Sequence, residues 1–466
     1  MKFLNKSSLA ISLFALAGQA AAGDFRLPAF ETSQLANGLT VYLMERHDVP
    51  LIAVRAVVKA GAVHDGAQSG LANLSGDALL LGAGNYDKKT LDQAFDFRGA
   101  RIASNTGTEA SALVADFARD DAPVLLPMLA EMLLHPTFET AEFDKLRARS
   151  VDGLKQAKES PRNVAQSYYR SMLFGPGAYA NAVEGTVASV TALQRSDAQA
   201  FHQNYYRPEN AALVLVGDFK ASAMRAQLEK LFGGWHAAGK LPAAAPTGQV
   251  QAGAARVWLV NKPDAVETTF LFGGAGIARN DPDYVPLQVL NTVLGGRFTS
   301  WLNDELRVNS GLTYGARSEF ATLAHGGSFA VSSFTATAKT EAALALAHKT
   351  YQRLWEQGID AATLESAKAY VKGQFPPRFE TNAQLAGLLG EMFVSKVGRE
   401  QIDHFMQDVD GLTPETAKSL IARHFPRDKL QMLLIGKAEA IRGVAEKYGA
   451  VTELEIGADG FAPPAK

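Results

Sequence analysis

The chain has 466 residues, 47% of them hydrophobic and 20% charged, and a formal net charge of −2. That length exceeds one ordinary core, so at least two domains are expected. The near-neutral balance offers no electrostatic case for nucleic acid or an anionic membrane, and the absence of cysteine excludes disulfides and thiolate metal sites.

The N-terminus reads as a processing signal. Lys2 and Lys6 precede an apolar run over residues 9–17, and Gln19-Ala20-Ala21-Ala22 supplies a small-residue cleavage site before Gly23. The run is too short to span a bilayer comfortably, and no later segment combines the length and apolarity of a span. A cleaved signal peptide over residues 1–22 and a periplasmic location are expected.

Beyond it, apolar periodicity predicts strands over residues 40–43, 52–58 and 112–117 and helices over 121–134 and 139–158. A strand follows over 211–216, then helices over 341–357 and 361–374. Strands come in succession before helices, which favours α+β over a strictly alternating parallel sheet. The chain also repeats itself. Residues 190–217 align without a gap on 409–436, so that Leu193 matches Leu412, Ala198 matches Ala417, Leu215 matches Leu434 and Gly217 matches Gly436. Each copy runs from a helix start through an aromatic residue into a buried strand ending at glycine, which implies duplicated halves. The expected division is a first α/β domain over 23–238, a linker over 239–254, a second α/β domain over 255–456 and a loose tail over 457–466. The linker is rich in Ala, Pro and Gly, so it should be exposed and extended and leave the halves free to shift.

Nine histidines are scattered so that no two lie within five residues, and a local two-histidine zinc face cannot be built. His64-Asp65 falls in a loop and carries no ligand role. Asp77, with Glu109 or Asp152, is the one place where a carboxylate site for a hard cation can be drawn. Such sites need several converging oxygens, so Asp77 reads better as a polar remnant on a helix.

Several motifs occur in order. They are Asn37-Gly38-Leu39, Val58-Lys59-Ala60-Gly61, the run from Phe201 through Tyr205-Tyr206-Arg207-Pro208 to Gly217-Asp218, Lys262-Pro263-Asp264, Leu294-Gly295-Gly296-Arg297-Phe298, and Leu306-Arg307 with Gly311-Leu312-Thr313-Tyr314. Together they resemble the pitrilysin/insulinase-type metallopeptidases, which include the mitochondrial processing peptidases. The resemblance covers nearly the whole chain after residue 22. It implies two homologous α/β-roll domains facing each other across a cavity and together forming half of a clamshell. It also implies an inverted zinc motif, His-x-x-Glu-His, and a distal Glu ligand. Laid on this sequence, the first His falls on Asn73, the base on Gly76, the second His on Asp77, and the distal Glu on or next to Gly153. Catalytic zinc needs imidazole, thiolate or carboxylate ligands and a base beside its water. Asn73 is a poor ligand, and Gly76 and Gly153 offer no side chain. The chain is therefore expected to hold no zinc and to cleave nothing alone.

The resemblance further implies that Arg307 and Tyr314, seven residues apart, reach a zinc site across the cavity. There the guanidinium holds substrate backbone and the phenol stabilises an oxyanion. The chain departs from the family at Ala103, where an Asn that binds substrate backbone is usual, at Trp301, and at Val308, Asn309 and Ser310. The expected function is that of a non-catalytic subunit of a heterodimeric, zinc-dependent endopeptidase. Its partner would be a homologue with an intact motif, holding the zinc, and its ligands extended peptides. The alternative is a stand-alone pseudoenzyme acting as a peptide-binding or scaffold protein.

Overall fold

The computed structural model describes residues 25–243, 246–248, 250 and 253–463. The expected signal peptide lies outside them. Fourteen strands occur among the described residues: β1 Glu31–Gln34, β2 Thr40–Glu45, β3 Leu51–Val58, β4 Gly82–Ala83, β5 Tyr86–Asp87, β6 Arg101–Thr106, β7 Ser111–Ala118, β8 Ala211–Gly217, β9 Arg256–Asn261, β10 Glu267–Ala275, β11 Ala316–Leu323, β12 Gly326–Ala336, β13 Gln431–Gly436 and β14 Ala450–Glu455. They form two six-stranded sheets, ordered β1-β2-β8-β3-β7-β6 and β11-β12-β10-β13-β9-β14, while β4 and β5 pair only with each other. No helix among the described residues is long and apolar enough to cross a membrane.

Burial follows position in the sheet. β8 and β13 are central, covered on both faces and buried at every residue, which is why their sequences run as unbroken apolar stretches. β7 alternates buried and half-buried residues, as a strand with one wetter face does.

The duplication is visible in the pairing. β2 runs parallel to β8, β8 antiparallel to β3, and β3 antiparallel to β7. The second half repeats this with β9, β13, β10 and β12. Helix Arg195–Tyr205 feeds β8 and helix Pro414–His424 feeds β13. At the aligned N-caps, Gln194 and Thr413, the backbone amide donates to the side chain three residues on, Asp197 and Thr416. The halves differ at one edge. In the first, β1 precedes β2 in the chain and pairs with it antiparallel, whereas in the second the C-terminal β14 pairs parallel to β9.

The halves exchange helices. The Pro161–Phe174 helix, from the first half, lays Tyr168, Tyr169, Met172 and Leu173 against Trp258, Val260, Leu271, Leu433 and Ile435 of the second sheet. The Asn382–Ser395 helix, from the second half, returns the arrangement by packing on β3 and β8. Burial of each large apolar side chain contributes about 1.5–3 kcal/mol. The four named residues alone therefore approach the whole stability of a typical domain, about 5–15 kcal/mol. This corrects the expectation that the halves shift freely, because burying these exchanged faces outweighs the looseness of an Ala/Pro/Gly linker. The linker is itself pinned where it is described: Ala178 and Tyr179 donate their amides to the carbonyls of Pro246 and Thr247, each at 3.0 Å.

The tail is also not loose over its described part. Asp459 accepts from the Thr186 hydroxyl at 2.9 Å and the Ala188 amide at 3.0 Å, capping the short Val187–Ala192 helix. The Phe461 ring meets Tyr168 edge-on, with centroids 5.1 Å apart. A composition of small and polar residues hid one acid positioned as a cap and one aromatic ring with a place to bury.

Candidate functional site: a closed cradle and an open arginine–tyrosine pair

The helix that carries the degenerate motif spans Leu71–Ala78. It starts at Gly70, whose φ of 93° belongs to the left-handed region that glycine adopts freely; a Cβ there would meet the Glu184 carbonyl at 2.9 Å. Asp65, nearly fully buried, accepts from the amides of Gly70 and Ala72, both at 2.8 Å. Burial pushes its carboxyl up to about 7, with the two amides pulling the other way. Its work is to satisfy a helix start. His64, in the preceding short turn, faces the Tyr205 ring at 4.5 Å, and burial lowers its pKa, so it is held neutral as a packing group.

Asn73 and Asp77, four residues apart, share the half-buried face of this helix, while Gly76 turns toward β6. A Cβ on Gly76 would sit 2.8 Å from both Ser104 Oγ and Thr106 Oγ1, and 3.7 Å from the Tyr206 hydroxyl. The space that a base would need is thus filled by hydroxyls. Ser75 Oγ and Tyr206 OH nearby are buried without a hydrogen-bond partner. Gly153 is exposed, and a Cβ there would meet nothing within 4 Å. Burial lifts the Asp77 carboxyl to about 6 against the pull of the Ser104 hydroxyl. One carboxamide, one isolated carboxyl and two glycines do not make a zinc site, and the crowding at Gly76 leaves no place for a base.

The makeshift carboxylate site is not built either. Asp152 is exposed and reaches only Lys155, at 3.4 Å. Glu109 is committed elsewhere: both its oxygens accept from the Ala324 amide at 3.0 Å, and one accepts from the Tyr179 hydroxyl at 2.5 Å. Tyr179 OH in turn accepts from the His325 amide at 3.1 Å. Glu109 therefore ties the first half to the β11–β12 turn of the second, a role that no local sequence signal announced. Among the described residues the only three potential metal ligands that converge are Asp281, Asp283 and His424, and Arg423 already sits 3.0 Å from Asp283.

Arg307 and Tyr314 are different. Arg307 belongs to a wide turn, Asp304–Asn309, and the following loop is anchored from several sides. Leu312 and Thr313 donate their amides to the Leu306 carbonyl, and Gly311 adopts a φ of 60°. The Thr335 hydroxyl donates to the Leu312 carbonyl at 2.6 Å, and the Ser333 hydroxyl reaches the Gly315 carbonyl at 2.9 Å. On this fixed loop the Tyr314 side chain is 80% exposed. The Arg307 guanidinium lies 4.7 Å from the Phe298 ring and 5.4 Å from the Tyr314 ring, and no carboxylate among the described residues lies within 4.0 Å of it. The structure thus brings Arg307 and Tyr314 together, and keeps Asn73 and Asp77 on one helix without ligand chemistry. Ala103 lies on the outward face of β6, the edge strand of the first sheet.

Comparisons with known proteins place the chain in a family. A family model described as "Insulinase (Peptidase family M16)" matches residues 40–187, and one described as "Peptidase M16 inactive domain" matches residues 192–371. An uncharacterised zinc protease of Bacillus subtilis is 21% identical over 395 residues, which cover 84% of this chain and 95% of the relative. A non-peptidase homologue from Helicobacter pylori is 25% identical over 348 residues, covering 72% of this chain and 78% of the relative. A crystal structure of a peptidase M16 inactive domain from Pseudomonas fluorescens superposes with a TM-score of 0.79 at 26% identity, covering 88% of this chain and 98% of that one. A chain of complex III from Candida albicans shares the fold, with a TM-score of 0.75 at 16% identity over 89% of this chain and 97% of that one. The chain belongs to the M16 peptidase family, and its residues 192–371 match the family's inactive domain.

Proposed function

We propose that this chain is the non-catalytic subunit of a heterodimeric, zinc-dependent endopeptidase of the periplasm. In this reading it binds extended peptide and presents Arg307 and Tyr314 to the zinc site of a homologous partner. The observation that carries it is the contrast within one chain. The cradle for metal and base is packed shut, while a half-buried arginine without a carboxylate partner and an exposed tyrosine are held on an anchored loop. Leaving a tyrosine ring in water forgoes about 1.5–3 kcal/mol of burial, which is consistent with a ring kept for a contact outside the chain.

The test is reconstitution with a homologue that carries an intact His-x-x-Glu-His motif. Sedimentation of the mixture is expected to show a one-to-one complex with peptidase activity. Tyr314→Phe keeps the ring and removes the donor, so it is expected to lower kcat by roughly 100-fold with assembly unchanged. Arg307→Ala is expected to raise KM as well. Wild-type turnover in both variants, with complexes intact, would reduce the pair to surface residues and leave the stand-alone scaffold.

A further inference from the structure

The cleft beside Arg307 holds more charge than the pair explains. It has a volume of about 450 Å³ and lies between the Pro161–Phe174 helix and one face of strands β10, β12 and β11. The register sets its floor: Leu271, Ser332 and Arg317 form one row across the three strands, and Gly273, Ala330 and Glu319 the next. Arg307 closes one end. Arg162 comes from the other half of the chain, its guanidinium 4.3 Å from the centre of the Phe334 ring. Arg317 Nε donates to Ser332 Oγ at 3.3 Å.

Three arginines thus face one space in which Glu319 is the only lining acid, and none of the three has a carboxylate oxygen within 4.0 Å among the described residues. A guanidinium with a well-placed carboxylate looks different, as Arg442 does in its paired contacts with Glu453. Like charges gathered without counter-charge repel one another, and an anion relieves that. The planar fork of a guanidinium matches a carboxylate with two parallel bonds. The floor beside it is small and apolar at Leu271, Ala321 and Ala330, which suits a neighbouring aliphatic side chain.

We propose that this cleft binds an extended peptide by a carboxylate, with Arg162 and Arg317 joining Arg307 as its donors and the apolar floor taking an adjacent side chain. The proposal rests on the reading of this chain as a peptide-binding subunit and adds a substrate class, acidic peptides. Arg162 and Arg317 act here as binding residues and have no part in the oxyanion chemistry assigned to Tyr314.

The test uses the full chain alone, so that its outcome is separate from turnover of any complex. A peptide with one Glu beside a Leu, an amidated C-terminus and an uncharged boron-dipyrromethene dye is titrated by fluorescence anisotropy. Two companions follow, one with Gln for that Glu, and one with Gln and a free C-terminal carboxylate. Removing every carboxylate is expected to weaken binding roughly tenfold or more, the equivalent of about 1.4 kcal/mol. Retained affinity in the Glu peptide assigns the cleft to a side chain, and retained affinity in the free-acid peptide assigns it to a chain terminus; both support the proposal. Arg162→Gln and Arg317→Gln, each checked for an unchanged melting temperature, are expected to bring the acidic peptide down to the affinity of the neutral one. Equal affinity for all three peptides, no detectable binding, or displacement by inorganic phosphate at peptide-like concentrations would overturn it.

Discussion

The two halves descend from one plan, and they have treated the same stretch of it in opposite ways. At its first helix the first half draws the chain inward, although Phe97, at the end of the next helix, stands 89% exposed. The Leu71–Ala78 helix buries six of its eight residues and lets β6 fill the space beside Gly76. The second half runs from its Tyr284–Asn291 helix to β11 through wide turns that leave Phe298, Val308 and Tyr314 in solvent at 60%, 63% and 80% exposure. A site that loses its ligands gains stability by collapsing, because space lined by small residues can close. In the function proposed above, the second site's donors serve a partner outside the chain, so that site gains nothing by collapsing. The two outcomes in one molecule separate lost chemistry from retained presentation.

The sharpest way to break this contrast is to reopen the cradle. Gly76→Glu forces a carboxylate among Ser104, Thr106 and Tyr206, beside the half-buried Asp77, and is expected to cost about 3 kcal/mol in urea denaturation. An unchanged midpoint would mean that the cradle is still open. A second variant probes what holds the halves in register. Glu109→Ala leaves the Ala324 amide and Tyr179 hydroxyl without their acceptor, and should cost about 2 kcal/mol. Faster hydrogen exchange confined to residues 323–326 and their neighbours would identify the tie as local, whereas exchange spread over both sheets would make it the main clasp.

Asp77 sharpens the comparison through pH. Its folded carboxyl is raised from 3.8 to about 6, so the folded state binds the proton more tightly than the unfolded chain does. Stability therefore declines as pH rises between those values, and the deficit is complete above the upper one. Asp77→Asn removes the deficit. It is expected to stabilise the chain by about 1–2 kcal/mol at pH 8, an advantage that disappears toward pH 4. An advantage independent of pH would place the gain in packing. The smallest effect belongs to the tail. Asp459→Ala removes the cap on the Val187–Ala192 helix and should cost about 1 kcal/mol, with earlier proteolytic release of the C-terminus. Unchanged proteolysis would return the tail to the loose segment that its composition suggests.

Much of this was legible in the residues. The helices predicted over 121–134 and 361–374 agree with Ala122–Leu134 and Ala361–Gln374 to within a residue, because both are rich in the strong helix formers Ala, Leu, Met, Glu and Lys. The repeat was legible because Leu193 and Leu412 precede, and Gly217 and Gly436 end, the same helix–strand unit twice. The resemblance marked Asn73, Gly76, Asp77 and Gly153 as unfit for zinc from side-chain chemistry alone, which needs no coordinates.

Other features depended on distant residues that only folding brings together. Glu109 meets Ala324, and Arg162 meets the cleft of Arg317, across gaps in sequence that no local pattern spans. The exchange of the Pro161 and Asn382 helices turned a flexible-looking linker into a detail, since apolar burial between the halves is far larger than any preference the linker residues carry. The sequence by itself thus determined the secondary elements, the duplication and the missing ligands, which are properties of side chains and their spacing. Only the tertiary structure decided which cradle is closed, which ring is exposed and where three arginines meet, because burial and electrostatics depend on what the whole chain packs around each group.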